Sequence, residues 1–359
     1  LSSFTARFAS QDEIEHWDKH VTANPNGGNL LQSAAFAAVK RNFGWDVRYL
    51  VLDGPEASSY NLVLEKSFPV MGRLWYLIKG PDVASVDDVP AALEAIKEFV
   101  EREKLRVFAV KIEPDIVDSD HARDVLAKAG LAKSFNLQPN DSTAILDITP
   151  EPGPLLRSLH SRGRNAVRRA EREGVEVEVA EPTLANYRTM HSLMTGTLNT
   201  KSRHGAQVRS FEYYRQFWTE FTSRGQGRLY FVYENGRPSV GAFVINYGRK
   251  ATYKDGGSLQ HRTQYGDSHL VQWTAILDMK TLGCTEYDFC GTPPADKLKD
   301  TSHPFHGLGL FKTSFTKSVT DFVGVWDYVI DVPRYTAWTT AGERVARQLY
   351  TRRTGQQFY

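Results

Sequence analysis

Two hydrophobic periods alternate along this 359-residue chain, and that alternation constrains the fold more than any other feature. Apolar residues at every second position mark strands, and those at every third or fourth mark helices. The first half reads as an amphipathic segment at 12–21, a glycine-rich turn NPNGGNLLQS and a helix at 34–42. Strands follow at 47–52, 58–64 and 73–78, then a helix at 90–103 and the strand RVFAVKIEP, stopped by Pro114. A helix at 120–129 and the strand STAILDI come next, and TPEPGP reads as a linker near residue 150. The second half repeats the style. A basic helix and the strand VEVEV precede helices near 184–197 and 210–223. RLYFVYE and PSVGAFVINYG flank Asn235-Gly236, a strong hairpin signal. ATYKDGGS runs into a Gly-Gly turn, and a helix at 268–282 and the strand YDFCG complete the unit. A tail at 319–359 carries the strand FVGVWDYVI and a terminal helix. The pattern predicts an α/β (α+β) chain of mixed sheets covered by helices, and the length suggests two domains of about 150–180 residues.

Composition narrows the function classes. No window approaches 18 uninterrupted apolar residues, so no membrane span is expected. LSSFTARFASQDEIEHW carries no apolar leader core, so export is not expected. Cys284 and Cys290 make no disulfide framework, which fits a reducing cytoplasm; both are expected as small core side chains around a buried strand. His303 and His306 in TSHPFHGLG have no cysteine or carboxylate at ligand spacing, so no metal is expected, and the glycines there read as a loop. Phosphate loops of the GxGxxG and Walker kinds are absent, which disfavours NAD and ATP, and no cofactor is expected.

The charge pattern has one concentration. LLRSLHSRGRNAVRRAEREG, at 155–174, places six arginines on what reads as a single helix, in a chain of formal charge +2. Its leucines, alanines and valine fall at helical spacing for a core, while Arg164, Arg168 and Arg172 stand four apart on one stripe. Such a stripe is either a solvated face or a landing strip for phosphates of a nucleotide, a lipid headgroup or RNA.

At this point the residues resemble a known family. SRGRNAVRRAEREGV is similar to the segment that opens the second domain of the FemABX aminoacyltransferases, with its Ser-x-x-Arg-Asn-x-x-x-x-Ala pattern. LQSAAFAAVK, YLIKGP, YGDSHLVQWTAI, GCTEYDFCG and GLGLFKTSF resemble further landmarks in the same order, covering roughly Leu30 to Tyr335. The resemblance implies two GNAT-like acyltransferase domains, 1–149 with 319–359 and 150–318, with a cleft between them. No charged heptad region is present, so the helical-hairpin insertion of larger members is absent. The implied activity moves an amino acid from aminoacyl-tRNA to an amine of a peptidoglycan precursor peptide, with peripheral membrane contact if that acceptor is lipid-linked.

The resemblance also implies roles. Phe311-Lys312 matches a Phe-Lys pair placed in the substrate channel, where a fixed cation stabilises the oxyanion formed in acyl transfer. Lys40 and Arg209 match diphosphate ligands, and Tyr213 and Tyr253 match residues that contact the precursor. Glu113 stands where some members place an acid that could orient or deprotonate the incoming ammonium. Phe108 and Asp255 replace expected tyrosines, and both substitutions touch the acceptor side. They keep a second acceptor class open, the amine of a peptide antibiotic or other secondary metabolite. A third reading, a non-catalytic RNA or anionic-membrane binding protein, leaves Lys312, Lys40 and Arg209 without a purpose.

Overall fold

The computed structural model describes residues 4–135, 141–201, 209–355 and 357–358. It divides into two compact units, Leu1–Gln138 with Phe322–Tyr359, and Pro139–Asp321. The first unit contains β1 (Thr5–Phe8), α1 (Gln11–Glu15), α2 (Trp17–Thr22), α3 (Ala34–Asn42), β2 (Asp46–Asp53), β3 (Ser58–Phe68) and β4 (Gly72–Ile78). It continues through α4 (Val89–Arg102), β5 (Val107–Glu113), α5 (Asp120–Lys128) and β6 (Ala132–Lys133). The second unit holds β7 (Ser142–Thr143), β8 (Ile145–Asp147), α6 (Pro152–Ser158), α7 (Ser161–Arg172), β9 (Val177–Ala180), α8 (Leu184–Lys201) and α9 (Phe211–Thr222). Then come β10 (Gly227–Glu234), β11 (Arg237–Tyr247), β12 (Lys250–Ser258), α10 (Asp267–Thr281), β13 (Glu286–Asp288), α11 (His306–Thr316) and β14 (Thr320–Asp321). The chain returns to the first unit with β15 (Trp326–Val329), α12 (Val332–Ala337), a π-helical turn at Trp338–Gly342 and α13 (Glu343–Thr354).

The sheets share a plan. In the first, the order is β1-β2-β3-β4-β5-β15-β6; in the second it is β8-β13-β12-β11-β10-β9. Each has an antiparallel meander, then one parallel pair, β4 with β5 or β12 with β13, and then an antiparallel strand brought from elsewhere in the chain. A parallel pair needs a crossover, and α4 and α10 supply it. Helix α4 packs Val89, Ala92, Leu93, Ile96, Phe99 and Val100 on the first sheet, all buried at helical spacing. The second core gathers Val167 and Ala170 of α7, Val271, Ala275 and Ile276 of α10, and Tyr230, Val244 and Tyr287 from the sheet.

Several expectations shift. The stretch at 155–174 is two helices, not one. Leu159 is extended (ψ 155°) and His160 caps α7 by accepting from Arg162 N at 3.1 Å. The break lets Gly163 meet α11, where a Cβ would lie 2.3 Å from the Ser314 carbonyl oxygen. STAILDI lies in the second unit instead of closing the first, because Ile145 and Asp147 pair with Asp288 and Glu286. The Gly-Gly of ATYKDGGS is no turn; β12 runs through it to Ser258. Gly256 leaves room for the Tyr253 hydroxyl, and Gly257 lets the backbone of α8 approach. The segment HGLGLFKTSFT, expected to begin as a loop, is α11, and Gly309 there accommodates Pro293. Cys284 is buried, but Cys290 is only half-buried, in left-handed backbone (φ 53°) beyond the end of β13.

Candidate active site

In the second unit the site is built around Lys312. Helix α11 is gripped on two sides, by Gly163 of α7 and by Pro293 against Gly309, so its inner face is fixed. Lys312, 5% exposed, points from that face to the end of β13. Its ammonium donates to the Cys290 carbonyl at 2.5 Å and to the Gly291 carbonyl at 2.8 Å. The left-handed turn at Cys290 is what aims two successive carbonyls at one point. Tyr253 places its ring 6.0 Å from the same nitrogen. Burial lowers the Lys312 pKa to about 8, against smaller upward pulls from Cys290 and Asp288. The lysine is thus a cation held by dipoles instead of a salt bridge. Phe311, next to it, packs edge-on against His269 at 4.9 Å and Phe315 at 5.7 Å.

His269 was not singled out by the sequence reading, although it stands in YGDSHL. Its Nε2 meets the Ser314 hydroxyl at 3.2 Å, and burial, with Arg162 nearby, pushes its pKa down to about 4. It is neutral at physiological pH and a weak base. Lys254 was also missed. A β-bulge between Phe243 and Val244 leaves Lys254 as the extra residue between Tyr253 and Asp255. Its ammonium sits 3.2 Å from Asp255 and 5.0 Å over Phe217. Burial opposes its charge, but Asp255 and the neighbouring tyrosines outweigh it, so its pKa is raised. Asp255 also accepts from the Trp218 indole at 2.9 Å, so both carboxylate oxygens are engaged inside the protein. Arg209 lies just outside α9, yet its guanidinium stacks 4.5 Å over the Tyr213 ring. Tyr213 itself is buried.

The arginine stripe of α7 divides. Arg164 donates to the Arg157 and Leu159 carbonyls at 3.0 and 3.1 Å, capping the end of α6, so its guanidinium serves the fold. Arg168 and Arg172 are exposed. Arg169 pairs with Glu173 at 2.5 Å and stacks on Tyr265. A helix N-terminus favours phosphate, but that of α10 holds the buried carboxylate of Asp267, paired with Arg262 at 2.8 Å. A Cβ on Gly266 there would lie 2.3 Å from the Ala166 carbonyl oxygen. A charged, crowded helix end of this kind does not suit a phosphate-bearing cofactor. Among the described residues, no three histidine, cysteine or acidic side chains converge to hold a metal ion.

The first unit carries its own cluster at the corresponding strand ends. Glu113, 1% exposed, closes β5 and accepts from the Tyr76 hydroxyl of β4. Lys79, in left-handed backbone (φ 53°) after β4, lies 3.6 Å from Glu113 and 3.2 Å from Asp115. Asn29 donates to Asp115 at 3.0 Å. Tyr76 and Lys79 fall in YLIKGP, but the sequence reading gave neither a role. Lys40, in the last turn of α3, is buried, with its ammonium 5.2 Å over Phe36. The Gln-Ser pair before that helix has a structural purpose. Gln32 bridges the backbones of Leu62 and Ile78, and Ser33 caps α3 by accepting from Phe36 N at 3.0 Å. Phe108 is the extra residue of a bulge in β5 and is sealed against Phe68 and Trp338, with ring centroids at 6.4 and 5.7 Å.

Residues 157–299 match the acetyltransferase (GNAT) domain family, so the second unit is an acyltransferase domain and the chain is a transferase of that class. Lipid II:glycine glycyltransferase from Staphylococcus aureus strain MRSA252 is 25% identical over 403 aligned positions, covering 89% of this chain and 92% of the relative. That span exceeds the 359 residues here, so the relative carries residues with no counterpart in this chain. The crystal structure of FemX superposes with a TM-score of 0.76 at 20% identity, over 92% of this chain and 99% of FemX. A conserved protein of unknown function from Bacteroides thetaiotaomicron VPI-5482 superposes at 0.54 with 10% identity, over 90% of this chain and 98% of that one. The chain is homologous to the lipid II:glycine glycyltransferases of the FemX/FemABX family. It shares the fold of FemX.

Proposed function

We propose that the protein transfers an aminoacyl group from aminoacyl-tRNA to an amine on the peptide of a peptidoglycan precursor, either UDP-MurNAc-pentapeptide or lipid II, on the cytoplasmic side. The observation that carries this reading is Lys312, a buried ammonium held by two backbone carbonyls on a GNAT unit. An ammonium has three donors, and two are committed to Cys290 and Gly291. The third is offered to the carbonyl oxygen of the bound ester. The acceptor amine attacks that carbonyl and the C–N bond forms. The oxygen gains negative charge opposite Lys312, then the C–O bond to the tRNA ribose breaks as the amine proton passes to the leaving hydroxyl. An ester is already activated, so alignment and oxyanion stabilisation suffice. Phe311 shields the channel beside Lys312. Tyr253 borders it, and Asp255 acts by fixing Trp218 and Lys254.

On the acceptor side, Glu113, itself held by Tyr76 and Lys79, orients the incoming neutral amine by accepting one of its N–H bonds. Lys40, Arg209 and Tyr213 bind the precursor's diphosphate and sugar. Arg168 and Arg172 contact tRNA phosphates, and Arg164 supports them by joining α6 to α7. A secondary-metabolite amine is the second reading, favoured by Phe108, which is sealed in an aromatic cluster, and by Asp255, whose oxygens are taken. Incubation with a charged-tRNA mixture and both acceptor classes, followed by product masses, decides between them. An aminoacylated precursor is expected; modification of neither acceptor class would refute the transfer.

A further inference from the structure

The C-terminal helix α13 exposes a face that neither fold nor site uses. Its inner side is anchored. The Tyr350 hydroxyl donates to the Phe43 carbonyl at 2.7 Å, and Lys66 sits 4.6 Å over Tyr350, 4.7 Å over Trp45 and 5.5 Å over Phe358. At 100° per residue, the opposite side carries Arg344, Val345, Gln348, Leu349, Thr351 and Arg352, while Arg353 falls about 60° from Tyr350 and beside Leu349; all seven are exposed. Val345 is 46% and Leu349 59% exposed, next to each other one turn apart and flanked by Arg352 and Arg353. The helix's one carboxylate, Glu343, stands in its first turn. The β3–β4 turn abuts that start, with Met71 Cε 3.1 Å from where a Gly342 Cβ would lie, and Val70 on it is 83% exposed.

We infer that this face docks on the surface of an anionic bilayer and delivers the enzyme to a lipid-linked acceptor. The inference rests on the reading above and deepens it by choosing the lipid-linked form. Apolar side chains between arginines suit a headgroup layer, where the arginines meet phosphates and the valine and leucine enter the acyl boundary. They have no use against an RNA backbone. Helix α7 shows the alternative, since its apolar residues are buried in the core and its exposed surface is polar and charged.

The test uses the full chain in vesicle co-sedimentation, with phosphatidylglycerol-containing and pure phosphatidylcholine vesicles. Binding is expected to the anionic vesicles alone and to weaken with salt. Arg344→Gln/Arg352→Gln/Arg353→Gln should lose about 100-fold in affinity, roughly fivefold per arginine. Val345→Ser/Leu349→Ser should lose about tenfold, because each side chain forfeits apolar burial. Both variants should retain charged-tRNA binding and full turnover of a water-soluble peptide acceptor, while turnover of lipid-linked acceptor in vesicles falls. Equal binding to both vesicle types, no binding, or loss of tRNA binding in the arginine variant would each overturn the inference. Failure of the wild type to modify any peptide acceptor counts against the proposed function alone, and the vesicle result still decides the surface.

Discussion

The two units place a lysine at the same point of a shared plan, beyond the end of a parallel strand pair, and treat it in opposite ways. In the first unit Lys79 lies between two carboxylates, Glu113 and Asp115. In the second, Lys312 makes its hydrogen bonds to two carbonyls and feels Asp288 and Cys290 only as pulls smaller than the effect of burial. A cation with its counter-charge present has little field left for a substrate, whereas one neutralised by dipoles keeps its net charge in a desolvated place. In the proposed reaction, one lysine therefore positions an acid and the other stabilises charge that develops. Equal topology does not mean equal chemistry; the residues one strand away decide it.

The largest effect expected from this difference is on stability. Lys79→Met leaves Glu113 and Asp115 buried or half-buried without their cation. Removing one partner of a buried ion pair costs about 3–5 kcal/mol. Denaturant unfolding should show the loss, and adding Glu113→Gln and Asp115→Asn should restore most of it. A Lys79→Met protein as stable as the wild type would mean the two lysines are not treated differently.

Lys312→Met should do the reverse, leaving the fold nearly intact and slowing the chemistry. Losing one oxyanion donor costs about 10²–10³ in rate, or about 2.7–4 kcal/mol. Single-turnover rates at saturating acceptor measure the chemical step. A raised KM with unchanged kcat would instead make Lys312 a ligand for the acceptor's carboxylate, and unaltered constants would remove it from the site.

How much of this the sequence disclosed depended on whether periodicity was unbroken. Helix α3 falls at the 34–42 expected from its pattern, and the Asn235-Gly236 hairpin is present, with φ of 52° and 73°. Periodicity failed where a bulge or a glycine interrupted it. Lys254 is the extra residue of a bulge, so alternation gave it no face. Helix α11 begins His-Gly-Leu-Gly, and glycine's low helix propensity reads as loop; tertiary packing on Pro293 overrides it. β1 was unread because TARF is four residues with no turn signal before it. Lys312 stood out in the sequence through family resemblance alone, and its carbonyl partners depend on the left-handed turn at Cys290, which no local pattern announces. The Lys79 cluster was invisible because its members are spread from Asn29 to Asp115.

A smaller effect tests what holds Lys312 in place. Gly163→Ala puts a methyl 2.3 Å from the Ser314 carbonyl oxygen, a backbone atom that cannot swing away. Overpacking of this kind costs about 1–3 kcal/mol. If α7 positions α11, the loss in thermal stability should come with a slower chemical step, because Lys312 lies two residues from Ser314 on the same helix. Reduced stability with an unchanged single-turnover rate would show that Lys312 tolerates movement of its helix.

The mildest perturbation is pH, and it acts on Lys312 without a substitution. Lys312, with a pKa of about 8 set chiefly by burial, loses its proton as pH rises through that value. In the proposed reaction the protonated form stabilises the oxyanion, so kcat/KM should fall above pH 8, about tenfold for each further unit. The acceptor amine must be neutral to attack, so the rate should rise with pH on the acid side, giving a bell. Lys312→Arg keeps a charge at every accessible pH. Whatever its absolute rate, its alkaline limb should vanish while the acid limb stays. Alkaline pH also hydrolyses aminoacyl esters, so rates must be referred to the intact donor remaining at each point. An alkaline limb that survives in Lys312→Arg would place its origin elsewhere, and the carbonyl-held cation of the second unit would have no kinetic consequence.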